Sequence, residues 1–200
     1  VADEGAKRNV CMVHQVSKCT SAALFRKVDK IQSVEFHPNK PFIILATQTH
    51  VRVYSLSSPV KLKKKLLSSA KWMSSLVIHP SGDHLLTGTY DKRMCWFDLD
   101  GPNRPYKTYQ YHEKAVRQVR FHKTYNLMAS CSDDGTVRVL HARVYDDLVR
   151  QPLIVPVRTL RGHAITSDKL SVLDISFHPT QPWIFSSGAD GKVFLYQNLH

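Results

Sequence analysis

Histidines and aspartates recur at regular positions in this 200-residue chain, and these residue types can bind metals, transfer protons or form buried hydrogen bonds. Four of the eleven histidines, His37, His79, His122 and His178, each follow an apolar segment. A histidine that recurs at the same place after each strand is expected to have a structural role in a turn. This pattern favours turn formation over four separate metal sites.

Aspartates form a second repeated set, because Asp91, Asp134 and Asp190 each lie twelve residues after one of these histidines. Asp134-Gly135 and Asp190-Gly191 each separate two apolar segments. An Asp-Gly pair in this position predicts a tight hairpin turn, because both residues tolerate a positive φ. We therefore expect the repeated aspartates in turns rather than in a catalytic carboxylate pair.

The sequence lacks the residue patterns of a catalytic or metal-binding site. It contains no GxxxxGK[ST] phosphate-binding loop, and its serines and histidines do not occur in a recognisable nucleophile context. Cys11, Cys19, Cys95 and Cys131 lack the CxxC spacing that is typical of zinc sites. We therefore predict no catalytic residue, no bound metal and no cofactor.

Short β-strands in a repeating unit must position these residues. The steps between the four histidines are 42, 43 and 56 residues. Each unit contains a strand of apolar or small residues throughout, which is typical of strands that are buried on both faces. A period near 42 residues with four strands per unit predicts the blades of a WD-type β-propeller. The buried strands are FIILAT, HLLTGT, LMASCS and WIFSSG, at 42–47, 84–89, 127–132 and 183–188.

These repeats divide the chain into one partial unit and four further units. The predicted fold class is all-β, a WD-repeat β-propeller that supplies the C-terminal four to five blades of a seven-bladed ring. Four and a half blades rarely close alone, and open edges promote aggregation, so we expect further blades before this segment. The predicted units are the end of a preceding blade at 1–28, blades at 29–69, 70–112 and 113–160, and a last blade at 161–200 that lacks its outer strand.

The last blade carries the residue types of a buried hydrogen-bonded set that recurs in WD blades. A Gly-His pair usually precedes such a blade, and its histidine bonds with a strand serine or threonine, a turn aspartate and an aromatic residue. The predicted members are His163, Ser186, Asp190 and Tyr196 in this blade, with Asp91 and Asp134 at the equivalent turns of earlier blades.

The connection between the third and last repeats is longer than the others and covers residues 141–163 and the AITSDKLS segment that follows. Long loops on rigid blades commonly carry binding contacts. A loop without a binding role is an equally good interpretation of this segment.

The chain is strongly basic, with 28 lysines and arginines against 16 acids and a net charge of +12. Such a field favours acidic partners, anionic membranes and nucleic acid. No apolar run is long enough to span a bilayer.

Two basic regions are candidates for RNA contact, with cations on phosphates and a tyrosine stacked on a base. The alternatives are lysines that protect a sheet edge, a solvated loop, and a tyrosine in the core. The candidates are Lys61, Lys63, Lys64 and Lys65 in the first region, and Arg104, Lys107, Tyr109, Arg117 and Lys123 in the second.

Several segments are more specific than a general WD pattern. They are DLD at 98–100, RPYKT at 104–108, VRFHK at 119–123, IVPV at 154–157 with LRGH at 160–163, and QPWIFSSGADG at 181–191. These segments resemble the C-terminal propeller of the Block of proliferation family of eukaryotic ribosome biogenesis proteins. The resemblance runs from about residue 30 to the end of the chain and is weak before it.

The resemblance implies a non-enzymatic scaffold in a complex with a Pescadillo-like protein and a second WD-repeat propeller protein. It implies work in the nucleolus and nucleoplasm, on the RNA and proteins of the pre-60S particle, in large-subunit rRNA maturation and 60S assembly. The Pescadillo-binding region of the family lies N-terminal to the matched segments, and no membrane is involved. The alternative is a general WD adaptor, for example a ubiquitin-ligase substrate receptor, without RNA contact.

Overall fold

The chain folds into five antiparallel β-sheets that follow one another along the sequence. The all-β prediction is therefore confirmed. Three of the sheets have four strands, and the first and last have three within the described residues. The computed structural model describes residues 2–3, 10–26, 30–57, 59–68, 71–145 and 152–197.

The first two sheets cover the N-terminal third of the chain. A single 3₁₀ turn, Val16–Lys18, separates the second and third strands of the first sheet. Sheet one contains β1 (Ala2–Asp3), β2 (Val10–Gln15) and β3 (Thr20–Arg26), and sheet two contains β4 (Ile31–Phe36), β5 (Phe42–Thr47), β6 (His50–Ser55) and β7 (Lys61–Leu67).

The other three sheets repeat the same up-and-down order. In the described ranges no helix has the length and apolar character needed to cross a membrane. Sheet three contains β8 (Met73–Ile78), β9 (His84–Thr89), β10 (Met94–Asp98) and β11 (Lys107–Tyr109), sheet four contains β12 (Val116–Phe121), β13 (Leu127–Ser132), β14 (Thr136–Arg143) and β15 (Leu153–Arg161), and sheet five contains β16 (Val172–Phe177), β17 (Ile184–Gly188) and β18 (Val193–Tyr196).

Neighbouring sheets pack face to face, and the innermost strands β4, β8, β12 and β16 contact one another in that order. Ile44, Leu76 and Phe97 are fully buried between the second and third sheets. Trp96 and Met128 fill the next interface. Burial of each such side chain stabilises the fold by about 1.5–3 kcal/mol. Both faces of a central sheet are covered, which explains why its strands lack polar alternation.

The inner ring is crowded enough to require a glycine in β9. A Cβ atom at Gly88 would lie 2.7 Å from Oγ of Ser75 and 3.0 Å from Cγ1 of Val116 in the next sheet. No side chain fits at that distance, so the small residues of the second strands allow the sheets to approach closely.

The four repeated histidines each close the loop between the first and second strands of a sheet. Nδ1 of His37, His122 and His178 accepts hydrogen bonds from the backbone N–H groups two and three residues later, and Nδ1 of His79 accepts one from two residues later. These distances are 2.9–3.3 Å. The histidines therefore replace a backbone carbonyl as the acceptor, which gives them a structural role.

Two of these histidines also join their sheet to the next one. Nε2 of His122 donates to the backbone carbonyl of Gln181 at 2.9 Å. The ring of His79 packs edge-on against Phe121, with a centroid distance of 5.0 Å. The loop that each histidine closes is therefore also a contact between neighbouring blades.

Much of the expected long loop after residue 141 is strand. β14 continues to Arg143, and the nine-residue β15 pairs with it along its whole length. The prediction of a long loop is wrong for the residues in β14 and β15, because most of the additional residues of this connection form a long outer strand. Residues 146–151 lie outside the described part, and the remaining connection is 162–171.

The outward face of the last sheet carries exposed apolar side chains. Phe185 pairs directly with Leu195, and Val193 lies two residues away on the same face. These side chains are 39%, 43% and 69% exposed, respectively. The opposite face, with Ile175 and Ile184, is packed on the fourth sheet. The fifth sheet is thus covered on one face only among the described residues.

His79 follows β8 in the third sheet, and its pKa is expected to make the stability of the protein pH-dependent. Burial and the neighbouring His84 lower the pKa of His79 to about 4, below its usual value of 6.5. Between these two values the unfolded chain binds a proton that the folded chain does not. We therefore expect the urea midpoint to fall as the pH decreases from about 6.5 to about 4.

His79→Asn separates this proton effect from the loop hydrogen bond. The asparagine oxygen can accept the N–H group of Ser81, two residues later, but it does not titrate. The variant should show a flatter dependence of the urea midpoint on pH, and the exposed His14→Asn should match the parent. A parent-like slope in His79→Asn would contradict the assignment.

Candidate nucleic-acid interface

The structure brings His163, Asp190 and Ser186 into one hydrogen-bonded set between the fourth and fifth sheets. Nδ1 of His163 donates to Oδ1 of Asp190 at 2.9 Å, and its Nε2 lies 2.8 Å from the Ser186 hydroxyl. The N–H of Ala164 also donates to the Asp190 carboxylate, at 3.0 Å. The bond from His163 lowers the pKa of Asp190 to about 2, because it stabilises the charged carboxylate.

The aromatic member of this set differs from the predicted one. Phe194 lies against the His163 ring, edge-on with a centroid distance of 4.7 Å. Tyr196 stacks on Phe194, and a Cβ atom at Gly162 would lie 3.1 Å from its hydroxyl. Tyr196 therefore packs against Phe194, the ring that contacts His163.

A second and more complete set lies one blade earlier, around Asp134. Its histidine is His112, which the sequence reasoning missed. Nδ1 of His112 donates to Oδ2 of Asp134 at 2.9 Å, and Nε2 lies 2.8 Å from the hydroxyl of Ser130. The hydroxyl of Thr136 donates to Oδ1 of Asp134 at 2.6 Å. The signal that could have located it is the histidine at the equivalent place before β12, preceded by Tyr111 instead of glycine.

Burial alone would raise the pKa of Asp134. The hydrogen bonds from His112, Thr136 and the N–H of Glu113 outweigh that effect and hold the pKa well below the usual range. The third turn aspartate, Asp91, accepts a hydrogen bond from the hydroxyl of Thr89 in its own blade. These three aspartates stabilise turns and provide no open site for a ligand.

Metal-ligand side chains do not cluster in the described part of the chain. Where the structure describes the chain, no group of three or more histidine, cysteine, aspartate or glutamate residues is arranged to hold a metal ion. The hydrogen-bonded sets lie between sheets and are occupied by their own partners. Candidate binding residues must therefore be sought on the exposed surface.

Tyr109 is not available to stack on a base, and this prediction is wrong. Its side chain is only 6% exposed and belongs to the core between the third and fourth sheets. Its ring stacks on Tyr111 at a centroid distance of 5.7 Å. Tyr109 pairs with the buried Met94 and is covered by the fourth sheet. Lys107, on the same face of β11, is exposed, and its ammonium group lies over the Tyr109 ring at 5.6 Å from the centroid.

Two of the candidate cations are already paired within the fold. Arg117 bonds to Oδ2 of Asp133 through Nε at 2.8 Å and Nη2 at 2.6 Å. The ammonium group of Lys64 donates to the backbone carbonyls of Leu99 and Gly101 at 2.5 and 2.6 Å. The prediction that these two residues bind phosphate is wrong, because phosphate would have to replace short bonds that fasten one part of the structure to another.

The remaining cations of the two predicted regions, apart from Lys123, lie on or just before the outer strands of two neighbouring sheets, and we call this set the rim patch. It comprises Lys61, Lys63 and Lys65 on β7 with Arg104 and Lys107, all exposed. Tertiary contacts bring these two stretches together, because the N–H of Leu67 donates to the carbonyl of Asn103 at 2.7 Å. A surface recess of about 340 Å³ lies at this junction, lined by Leu67, Ser68, Arg104, Pro105 and Thr108.

Two acids, against five cations, lie in the loop that adjoins the rim patch. The acidic residues of the adjoining loop are Asp98 and Asp100, and Asp98 accepts the backbone N–H groups of Asp100 and Gly101. Lys123, the last candidate, is exposed in the loop after β12, on the next blade. The rim patch therefore offers five flexible cations for a polyanion, with Lys123 apart from them.

The set around Asp134 generates a stability prediction. Asp134→Ala removes the acceptor for His112, Thr136 and a backbone N–H, so we expect a loss of ~1–3 kcal/mol in the free energy of unfolding. Urea unfolding measures this. Lys63→Ala, an exposed substitution on the rim patch, should change it by less than ~0.5 kcal/mol. An Asp134→Ala curve that overlays the parent would contradict a stabilising network.

Comparison with known families identifies three repeats in the chain. Residues 61–98, 103–140 and 154–197 match the WD domain, G-beta repeat, and together they cover more than half of the chain. Each match begins with the outer strand of one sheet and ends with the third strand of the next. The sequence repeat is thus offset by one strand from the sheets, which links successive blades covalently.

Curated proteins with similar sequences share one description. The chain is 54% identical over 186 residues to ribosome biogenesis protein bop1-A of Xenopus laevis, 51% over 190 residues to a BOP1 homolog of Monosiga brevicollis, and 50% over 186 residues to BOP1 of Homo sapiens. The matches cover 92–94% of this chain and 24–25% of those relatives. The chain therefore spans about a quarter of the relatives' length, and it belongs to the WD-repeat family and, within it, to the Block of proliferation proteins.

Proposed function

We propose that this chain is a non-catalytic scaffold segment in ribosome biogenesis and that its rim patch contacts precursor ribosomal RNA. The similar curated proteins are named ribosome biogenesis proteins, and the chain covers about a quarter of their length. The role of the whole protein is therefore part of the proposal. The observation that carries the RNA contact is the rim patch itself.

The chemistry of the rim patch suits a phosphate backbone. Five exposed cations lie along the outer edges of two neighbouring blades, and long lysine and arginine side chains adapt to phosphates at irregular spacing. The net charge of +12 attracts a polyanion over a longer range. These features support backbone contact and do not select a base sequence.

The proposed partners follow from the family. They are a Pescadillo-like protein, a second WD-repeat propeller protein, and the RNA and proteins of the pre-60S particle. The proposed location is the nucleolus and nucleoplasm, and the proposed process is large-subunit rRNA maturation and 60S assembly. Lys123, in a loop on the next blade, is a secondary candidate for RNA contact.

Affinity purification of the full-length protein that contains this chain tests the class of function. We expect co-recovery of precursor ribosomal RNA with a second propeller protein. Recovery of ubiquitin-ligase subunits without RNA would instead identify a general WD adaptor and would overturn the proposal.

A salt titration tests the rim patch. Replacing Lys61, Lys63, Lys65, Arg104 and Lys107 with alanine should weaken binding to single-stranded RNA to a similar extent for all sequences. It should also flatten the plot of log affinity against log salt by up to ~0.7 per lost phosphate contact. Fluorescence anisotropy with labelled RNA measures both quantities.

A matched variant controls for net charge. It also removes five exposed cations, but from other surfaces: Lys18, Lys30, Arg161, Lys169 and Lys192. If the two variants lower the affinity and the salt slope equally, the effect is one of total charge. The rim patch is then not the RNA-binding surface.

A further inference from the structure

A recess between the second and third sheets contains an exposed pair of aromatic side chains. It has a volume of about 460 Å³ and is lined by Gln32, Gln48, Trp72, Met73 and Tyr90. Trp72 is 57% exposed and Tyr90 is 37% exposed. The two rings are nearly perpendicular, at 85° with a centroid distance of 6.4 Å. Large exposed aromatic side chains in a recess usually mark a binding site.

Backbone hydrogen bonds hold both walls of this recess in place. The N–H of Tyr90 donates to the carbonyl of Trp72 at 2.8 Å, and the N–H of Met73 donates to the carbonyl of Gln48 in the neighbouring sheet at 3.0 Å. The aromatic rings therefore project from a rigid junction of two blades. Because this backbone is already ordered, binding of a ligand would cost little conformational entropy.

The Tyr90 ring is also held from the adjacent blade. The guanidinium of Arg117 lies over it, 5.1 Å from the ring centroid. Arg117 is itself fixed by its ion pair with Asp133. The ion pair with Asp133 therefore holds Arg117 against Tyr90, and Arg117 in turn holds the Tyr90 ring in place as a wall of the recess.

The chemistry of the lining restricts the ligand. A cationic guest, such as a methylated lysine, normally needs an acidic residue or a closed aromatic cage, and here the charged group on the aromatic pair is the cation Arg117. None of the five described residues that line the recess is acidic. Trp72 offers a flat face, and the amides of Gln32 and Gln48 each carry hydrogen-bond donors and an acceptor. This combination suits a flat, uncharged ring with polar edges.

Two exposed lysines flank the aromatic pair in the sequence. Lys71 precedes Trp72, and Lys92 follows two residues after Tyr90. The end of β7 at Leu67 is five residues from Trp72, so Trp72 lies within about 17 Å of that end of β7, the strand that carries three of the rim-patch lysines. A polyanionic strand on the rim patch can therefore reach the recess.

We propose that this recess binds a single unpaired nucleobase of RNA, stacked on Trp72 between the walls formed by Tyr90 and the two glutamines. The inference rests on the proposed RNA contact and adds a specific site to it. The rim patch holds the phosphates, and the recess holds a base that has left its helix, as stacking sites for single strands do.

Photo-crosslinking locates the base directly. The full-length protein that contains this chain is irradiated with a short oligouridylate carrying a photoreactive uridine and is then digested with trypsin. Cleavage after Lys71 and Lys92 releases residues 72–92, which contain both aromatic residues. We expect the crosslink in this peptide, and we expect Trp72→Ala to remove it.

Affinity provides a second measurement. Trp72→Ala should weaken RNA binding by about 5-fold to 160-fold, the range expected for loss of one stacked base, and should leave the salt slope unchanged. Trp72→Phe should restore part of the affinity. Phe36→Ala is the matched control, because Phe36 is 58% exposed and lies at the other end of its strand, away from the recess. It should bind RNA like the parent.

The outcomes separate this inference from the proposed function. Crosslinks only outside 72–92, with parent-like affinity in Trp72→Ala, overturn the base site, whereas a flatter salt slope in the rim variant still supports RNA contact. Loss of a protein partner in Trp72→Ala with unchanged RNA affinity also overturns the base site, because the occupant is then a protein. No RNA binding by the parent overturns both proposals.

Discussion

Burial of both faces of each central sheet is the constraint on which this structure depends. A four-stranded sheet such as β8–β11 cannot cover its own faces, so it must lie between two others. The apolar contacts of Phe97 on one side and Trp96 on the other meet this requirement. The hydrogen bonds that join the blades, from the His122 ring to Gln181 and from Lys64 to the next sheet, depend on the sheet positions that this packing establishes.

The same packing divides the cations of a very basic chain into two groups. Arg117 and Lys64 lie where sheets meet, and both satisfy oxygen atoms there. Lys61, Lys63 and Lys65, on the same outer strand as Lys64, are exposed to solvent. A net charge of +12 therefore overstates the charge available to a partner, and the rim patch is an exposed part of it that tertiary contacts bring together from two blades.

Aromatic residues are divided in a similar way. Tyr109 faces inward because it pairs with the buried Met94 on the covered face of the third sheet, and Lys107, on the same face of the strand, lies over its ring. Trp72 precedes the first residue of β8, where the chain enters the sheet and the neighbouring blade leaves a gap. The exposure of Trp72 thus depends on how the two blades meet. The ring of Tyr90, which Arg117 holds in place, packs edge-on against Trp72 at this point.

The sequence by itself determined the repeat, the all-β class and the turn residues, because strand periodicity and turn chemistry are local properties of the chain. It also located Asp190 by its repeated spacing after a histidine, and His163 and Ser186 by the Gly-His pair and the strand serine that are typical of WD blades. It did not reveal His112, which lacks the preceding glycine, or the inward direction of Tyr109. Only the tertiary structure decided which cations bond to oxygen atoms of the fold and which remain exposed in the rim patch. It also decided that Trp72 and Tyr90 lie in contact. Those outcomes depend on contacts between blades, and such contacts are made by residues too far apart in sequence for local patterns to specify.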